Sequence, residues 1–299
     1  MTRVTFLGTS GSIPTKDRSL STVAIEYNKD LLLFDCGEGA QRQMMIYGVN
    51  LYKISSIFLS HMHADHVIGI VGLVRTLEIS GRKKSLNVFV PAGQEEELKK
   101  LLGNGDMPSS YKLAIKGIRA GKIFSGDNYS VEAIKLNHSI KVYGFVFKEN
   151  ERVRFIKDKC ARLGIKGKMF SELQKAGSIS LNGASIALED VTYRQKGIKL
   201  AYLPDTRPLS KNSKGMESIS GADILIHEST YSNSLRKLAI ERKHSTSIEA
   251  ANVAKLAGAK KLILFHMSAR YRDASLLENE AREIFPDTVA AYDGMKLNI

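Results

Sequence analysis

Cysteine is scarce: Cys36 and Cys160 are the two that the 299-residue chain holds. They are too few for a disulfide framework and lack the spacing of a zinc knuckle, which fits a reducing interior, with the cytoplasm as the expected compartment. Long apolar runs are missing too. No stretch approaches the roughly 18 to 20 residues of a membrane span, and Met1 to Gly8 lacks the charged-then-apolar layout of an export leader. An unexported protein with no membrane segment is expected. Repeats, low-complexity tracts and flexible linkers are absent, which sets aside solenoids and disordered chains. Acidic residues are in deficit, with 31 Asp and Glu against 44 Lys and Arg and a formal charge of +13. Such an excess suits an anionic partner such as RNA, DNA or an acidic membrane face, and it equally suits solubility alone. Apolar residues, in contrast, make up 43% and can bury a sizeable core. Layered α/β chains often use about 250 residues as one domain, so a single domain over 1–299 is expected.

Short β-rich runs alternate with amphipathic ones along the whole length, an α/β layout. Strands are expected at Arg3 to Leu7, Thr22 to Tyr27, Leu31 to Phe34, Ser56 to Leu59, Asn87 to Val90, Ser130 to Asn137 and Tyr143 to Phe147. Three more follow at Lys199 to Leu203, Asp223 to Ile226 and Lys261 to Phe265. Helices are expected over Gly39 to Tyr47, Ile68 to Ile79 and Gln94 to Leu102. Thr246 with Glu249 has capping-box spacing and opens a helix that runs to about Leu256, while Ser275 with Glu278 opens the last one. One region departs from the pattern: Lys148 to Lys168 carries eight basic residues (Lys148, Arg152, Arg154, Lys157, Lys159, Arg162, Lys166, Lys168) against three acids, with Gly164 and Gly167 interrupting the helix signal. It reads as a protruding arm or as a solvated helix face.

The sharpest signal is Ser60-His61-Met62-His63-Ala64-Asp65-His66, directly after the apolar run Ile57 to Leu59. If the backbone stays extended there, His61 and His63 project to one side, because side chains repeat every two residues, and they can share an ion. Asp65 and His66, where the chain turns into a helix, point elsewhere and suit a second ion. Three of the other histidines, His138, His227 and His266, follow apolar strands, as does Asp205. Side chains just past several strands of an α/β sheet meet in one crevice although they are distant in sequence. The reading assigns His61, His63 and His138 to one ion, Asp65, His66 and His266 to another, and Asp205 as the bridge. Imidazole and carboxylate suit Zn²⁺, with Mn²⁺ or Fe²⁺ as substitutes, and a pair of ions can stabilise both oxygens of a displacement.

This run, with His138, Asp205 and His266 downstream, resembles the metallo-β-lactamase superfamily, which implies an αββα sandwich of two mixed sheets flanked by helices. Within it the chain resembles the ribonuclease Z family, on Phe6 to Pro14 with Arg18, Leu33 to Gly39, Pro204-Asp205-Thr206-Arg207-Pro208, Leu225 to Thr230 and His244-Ser245-Thr246. The resemblance implies a zinc-dependent endoribonuclease that removes the 3′ trailer of precursor tRNA, two Zn²⁺ per subunit and a homodimer. It also implies Asp65 as proton acceptor for the attacking water and His244 as proton donor to the leaving 3′ oxygen. A plain contact at the helix start is the other reading of His244. His227 and Glu228 would hold a ligand or His244 in orientation, or form a purely structural pair. The basic stretch, extended to Gly177, would be an arm gripping tRNA over 148–177, with Ile165-Lys166-Gly167-Lys168 where many relatives have a Gly-Pro turn and Ser19 where an Asn is common. Gly8 to Gly11 lacks the Lys of a P-loop, so no nucleotide cofactor is expected. Two other functions compete: hydrolysis of a small ester, thioester or phosphodiester at the same metals, and an RNA-binding or scaffold role with a vestigial metal site.

Overall fold

Thr22–Tyr27 and Asp30–Phe34 form a tight antiparallel hairpin, with Asn28 at φ 52° in the turn, as two-residue hairpins require. The computed structural model describes residues 2–103, 108–181 and 183–299. Within these the hairpin sits inside a seven-stranded sheet ordered Lys296–Asn298, Thr2–Gly8, Thr22–Tyr27, Asp30–Phe34, Ile54–Phe58, Leu86–Pro91, Leu113–Ile118. Its first half is antiparallel and its second half parallel. A second seven-stranded sheet runs Thr288–Ala290, Lys261–Phe265, Ile224–Glu228, Lys199–Leu203, Tyr143–Glu149, Tyr129–Lys135, Gly121–Gly126.

The two sheets face each other across a layer of aromatic rings. Phe34 lies 5.2 Å from Phe145, Phe58 stacks on Phe89 at 4.6 Å, and Tyr202 meets Phe265 at 5.5 Å. Helices cover the outer faces, so the central strands are buried on both sides and read as nearly continuous apolar runs. Gly69–Ile79 buries Ile70, Leu73, Val74 and Leu77, the i, i+3, i+4, i+7 stripe, against the first sheet's cluster. Ser247–Ala257 packs small residues, Ala250, Ala251, Ala254 and Ala257, into the cluster of the second sheet. Its start is the expected capping box: Thr246 Oγ1 accepts from Glu249 N, and Glu249 Oε2 accepts from Thr246 N. Ser275 does not cap the last helix. It is the first helical residue, and its N–H is taken by Asp273 Oδ1 instead.

The chain divides into one unit of 1–147 with 199–299 and a second of Lys148–Ile198. The second unit contains the 148–177 stretch but runs twenty-odd residues past it, because two of its strands pair only with later ones. Arg152–Phe155 pairs with Thr192–Gln195, and Ser178–Leu181 with Ala184–Ala187. Helices Lys157–Arg162 and Met169–Ala176 lie between, stopping at Gly164 (φ 76°) and Gly177 (φ 79°). Cys160, Ile165, Leu173, Ile186 and Val191 make its small core, edged by a Phe155–Phe170 contact at 4.8 Å. No described helix is long and apolar enough to cross a membrane.

Candidate metal centre

Four strands of the main unit each deliver one chemical group one to three residues beyond their last residue: His61 after Ile54–Phe58, His138 after Tyr129–Lys135, Asp205 after Lys199–Leu203 and His266 after Lys261–Phe265. The structure brings all seven candidate ligands together. His61, His63, His138 and Asp205 form one group, and Asp65, His66 and His266 another, each with its donor atoms within 4.8 Å.

Hydrogen bonds on the far side of the rings fix which nitrogens face inward. His138 Nδ1 lies 2.9 Å from the carbonyl of Lys243, which can only accept, and His66 Nδ1 donates to Asp35 Oδ2 at 2.8 Å. The Ser60 hydroxyl donates to Asp35 Oδ2 at 2.9 Å, so its oxygen accepts from His61 Nδ1 at 2.8 Å. Thr230 likewise donates to Glu228 Oε2 at 2.7 Å and accepts from His266 Nδ1 at 3.0 Å. Four histidines therefore turn Nε2 toward the crevice, the arrangement that metal-binding imidazoles use. His61 Nε2 then sits 3.0 Å from His63 Nδ1, and His66 Nε2 sits 3.2 Å from His266 Nε2. Two ring nitrogens this close are held together by a proton shared between them or by a cation that both coordinate. Two nitrogens around one tetrahedral zinc, each about 2.0 to 2.1 Å from it, would lie about 3.3 Å apart, so this donor set fits.

Asp205 supplies a carboxylate oxygen to each group. Its Oδ2 is 3.6 Å from both His61 Nε2 and His138 Nε2, while Oδ1 is 3.1 Å from His266 Nε2 and 3.2 Å from His66 Nε2. Burial lowers the pKa of His61, His63 and His138, which keeps these rings neutral as ligands must be. For His66 burial acts in the same direction, but Asp205, Asp35 and Asp65 reverse it and raise the pKa well above the ordinary value. Asp65, which burial alone would push up, is held far below the carboxylate range by His66 and His266. Its Oδ2 also accepts from Ser12 N at 2.8 Å.

The turn at Gly8 to Gly11 thus touches the centre directly. A Cβ at Gly11 would come within 2.5 Å of His266 Cε1. Gly11→Ala is expected to displace that ring and weaken metal binding about 10- to 100-fold, read by chelator competition. Unchanged affinity would show that the loop yields freely.

Asp35 is a site residue that spacing did not single out; it appeared only inside the Leu33 to Gly39 segment. It is fully buried at φ 58° and accepts from Ser60 N at 2.7 Å, Ser60 Oγ, His66 Nδ1 and Tyr202 Oη at 2.7 Å. One carboxylate therefore orients a histidine of each group, His66 directly and His61 through Ser60. The sequence signal, a lone Asp after an apolar strand, was available but had no partner nearby to mark it.

His227 and Glu228 lie inside Ile224–Glu228 and so face opposite sides of the sheet. Only Glu228 reaches the centre: its Oε1 is 2.9 Å from His244 Nδ1. His227 Nδ1 meets the carbonyl of Glu228, and its Nε2 has no partner among the described residues. Burial would lower the pKa of His244, but Glu228, with Asp205, carries it up to about 9. His244, His63, His138, Asp65, Asp205 and Ser12 line an open cleft of about 720 Å³. Of the basic residues in the inserted unit, Arg154, Lys157, Lys159, Arg162, Lys166 and Lys168 are exposed and Arg152 is half-buried.

Residues 2–175 match the family model described as Anti-Pycsar protein Apyc1. The ribonuclease Z of Methanosarcina mazei is 39% identical over 307 residues, covering 100% of this chain and 98% of that protein. Among solved structures, the short form of human tRNase Z superimposes with a TM-score of 0.73 at 24% identity, covering 99% of each chain. The metallo-β-lactamase fold protein YhfI of Bacillus subtilis gives 0.70 at 20% identity, covering 99% of this chain and 98% of the other. The two structures speak for the fold, an αββα sandwich as the sequence led one to expect, and the relative speaks for the lineage. The chain has the metallo-β-lactamase fold and belongs to the family of the matching model over its first 175 residues and, along its whole length, to the ribonuclease Z family.

Proposed function

We propose that the protein is a zinc-dependent endoribonuclease that removes the 3′ trailer of precursor tRNA after the discriminator base. The observation that carries this is the Asp205 carboxylate, with one oxygen 3.6 Å from His61 and His138 and the other 3.1 to 3.2 Å from His266 and His66. His61, His63 and His138 would hold one Zn²⁺, Asp65, His66 and His266 a second, and Asp205 both. When bound, the two ions supply Lewis-acid polarisation of the phosphate and acidify a water.

The chain's own groups do the rest. Asp65, kept ionised and aimed by Ser12 N, accepts the proton of the attacking water. The new bond joins water oxygen to phosphorus, the P–O3′ bond breaks, and His244 delivers a proton to the departing 3′ oxygen. Glu228 keeps that proton on His244 at neutral pH, since a pKa of about 9 leaves the ring charged below it. The tRNA keeps a 3′-hydroxyl and the trailer a 5′-phosphate. Exposed Arg and Lys of the inserted unit, with Arg152, would grip the body of the tRNA through its phosphates. A homodimer working in the cytoplasm completes the reading.

Incubating the protein with a 3′-extended tRNA tests it. Cleavage after the discriminator base is expected, lost on adding a chelator and restored by zinc. Cleavage that persists after exhaustive chelation, or none with zinc replete, would refute it.

A further inference from the structure

Three of the loops that deliver chemistry to the crevice are tied together by one residue that stands outside the groups of candidate ligands. Arg207 lies two residues past Asp205, and its backbone N–H donates to the carbonyl of Asn137, the neighbour of His138, at 2.8 Å. Its guanidinium crosses to the loop that opens the Ser247–Ala257 helix. There Nη1 donates to the carbonyl of His244 and, at 2.8 Å, to Glu249 Oε2, while Nη2 donates to Glu249 Oε1 at 2.5 Å. Glu249 is fixed in turn by Thr246 N at 3.0 Å and Arg236 Nε at 3.2 Å. Thr206, between Arg207 and the carboxylate, donates its N–H to Glu228 Oε1 at 2.8 Å and accepts from Ser245 Oγ at 2.6 Å through its carbonyl. The side chains of Arg207 and Glu249 are only 17% and 11% exposed, so solvent does little to loosen the fork.

A paired, planar donor set of this kind fixes direction as well as distance, which a lysine ammonium cannot do. We infer that Arg207 is a positioning residue: by clamping the His244 peptide to the Asp205 loop, it holds the His244 ring in line with the phosphate seated at the crevice. This rests on the reading of His244 as proton donor. Arg207 touches neither substrate nor metal. It acts through His244.

The test is Arg207→Lys, with Glu249→Gln as a second variant that keeps an oxygen for the Thr246 N–H. On precursor tRNA, kcat is expected to fall about 10- to 100-fold with KM and zinc content unchanged. Hydrolysis of bis(p-nitrophenyl) phosphate should stay within about twofold of normal, because nitrophenolate departs without a donated proton. In a His244→Ala background, Arg207→Lys should add less than about twofold on precursor tRNA, since a residue that works only through another has nothing left to position. Equal losses on both substrates, loss of zinc, or full additivity with His244→Ala would overturn the inference and leave Arg207 as general scaffolding. If the unaltered protein does not cut precursor tRNA, the same comparison uses a dinucleotide phosphodiester, whose leaving sugar oxygen also needs a proton. Unequal losses there keep the role of Arg207 while the tRNA reading falls; equal losses overturn the role as well.

Discussion

Replacing Asp205 with alanine is expected to reduce cleavage of precursor tRNA at least about 10,000-fold and to leave at most one tightly held zinc per chain. Asp205 is 2% exposed, and no other described carboxylate pairs with histidines of both groups. Loss of His63 would empty one group and spare the other; loss of Asp205 weakens both. Single-turnover cleavage, zinc content and RNA binding should be measured together. Binding should persist, because the exposed basic residues of the inserted unit are untouched. Two zinc ions with near-normal turnover in the alanine variant would remove the shared-carboxylate geometry from the mechanism.

Excising residues 148–198 is expected to lower kcat/KM for precursor tRNA by about 100- to 1,000-fold, while a small phosphodiester is still hydrolysed within about threefold. All seven candidate ligands, with His244 and Glu228, belong to the main unit. The insert contributes charge instead, eleven Lys and Arg against six Asp and Glu. Its two ends are neighbours, Glu149 N donating to the carbonyl of Ile198 at 2.8 Å, so a short Gly-Ser link can replace it. A second reading distinguishes loss of grip from loss of fold. Binding of the full chain should weaken steeply with salt, by roughly 0.7 to 0.9 in log K per decade of salt for each phosphate neutralised, and the excised form should lose that slope. Equal losses on both substrates would favour a small-molecule hydrolase.

The candidate ligands were legible because most of them sit where apolar strands stop, a position visible in one dimension. His61, His63, Asp205 and His266 follow runs of mostly buried residues and His138 follows an alternating one, and burial of those inward faces is what the sheets require. His227 shows the limit of the rule. It follows Ile224 to Ile226, but the strand runs on through Glu228, so the ring turns away from the crevice. The helices also followed from local signals, Thr246 with Glu249 most cleanly. Hidden from the sequence were pairings set by tertiary contact. Leu113–Ile118 and Gly121–Gly126, with their exposed Lys and Gly, look like loop and become strands because neighbouring edges accept them. Asp35 gains its role from Tyr202 and His66, and Arg207 from Glu249; such partners declare themselves only when the strands have met.

The neighbouring ends of the 148–198 excursion bear on how the chain assembles. Tyr143–Glu149 and Lys199–Leu203 lie side by side in the second sheet, yet about fifty residues separate them. Left slack, a tether of that length would oppose their pairing by about 3.5 kcal/mol of lost freedom, from (3/2)RT ln n. The cluster around Leu173 removes this handicap by folding the tether on itself, so that its two exits emerge together. The inserted segment therefore also serves as the clasp that lets Lys199–Leu203, the strand that leads into Asp205, find its neighbour.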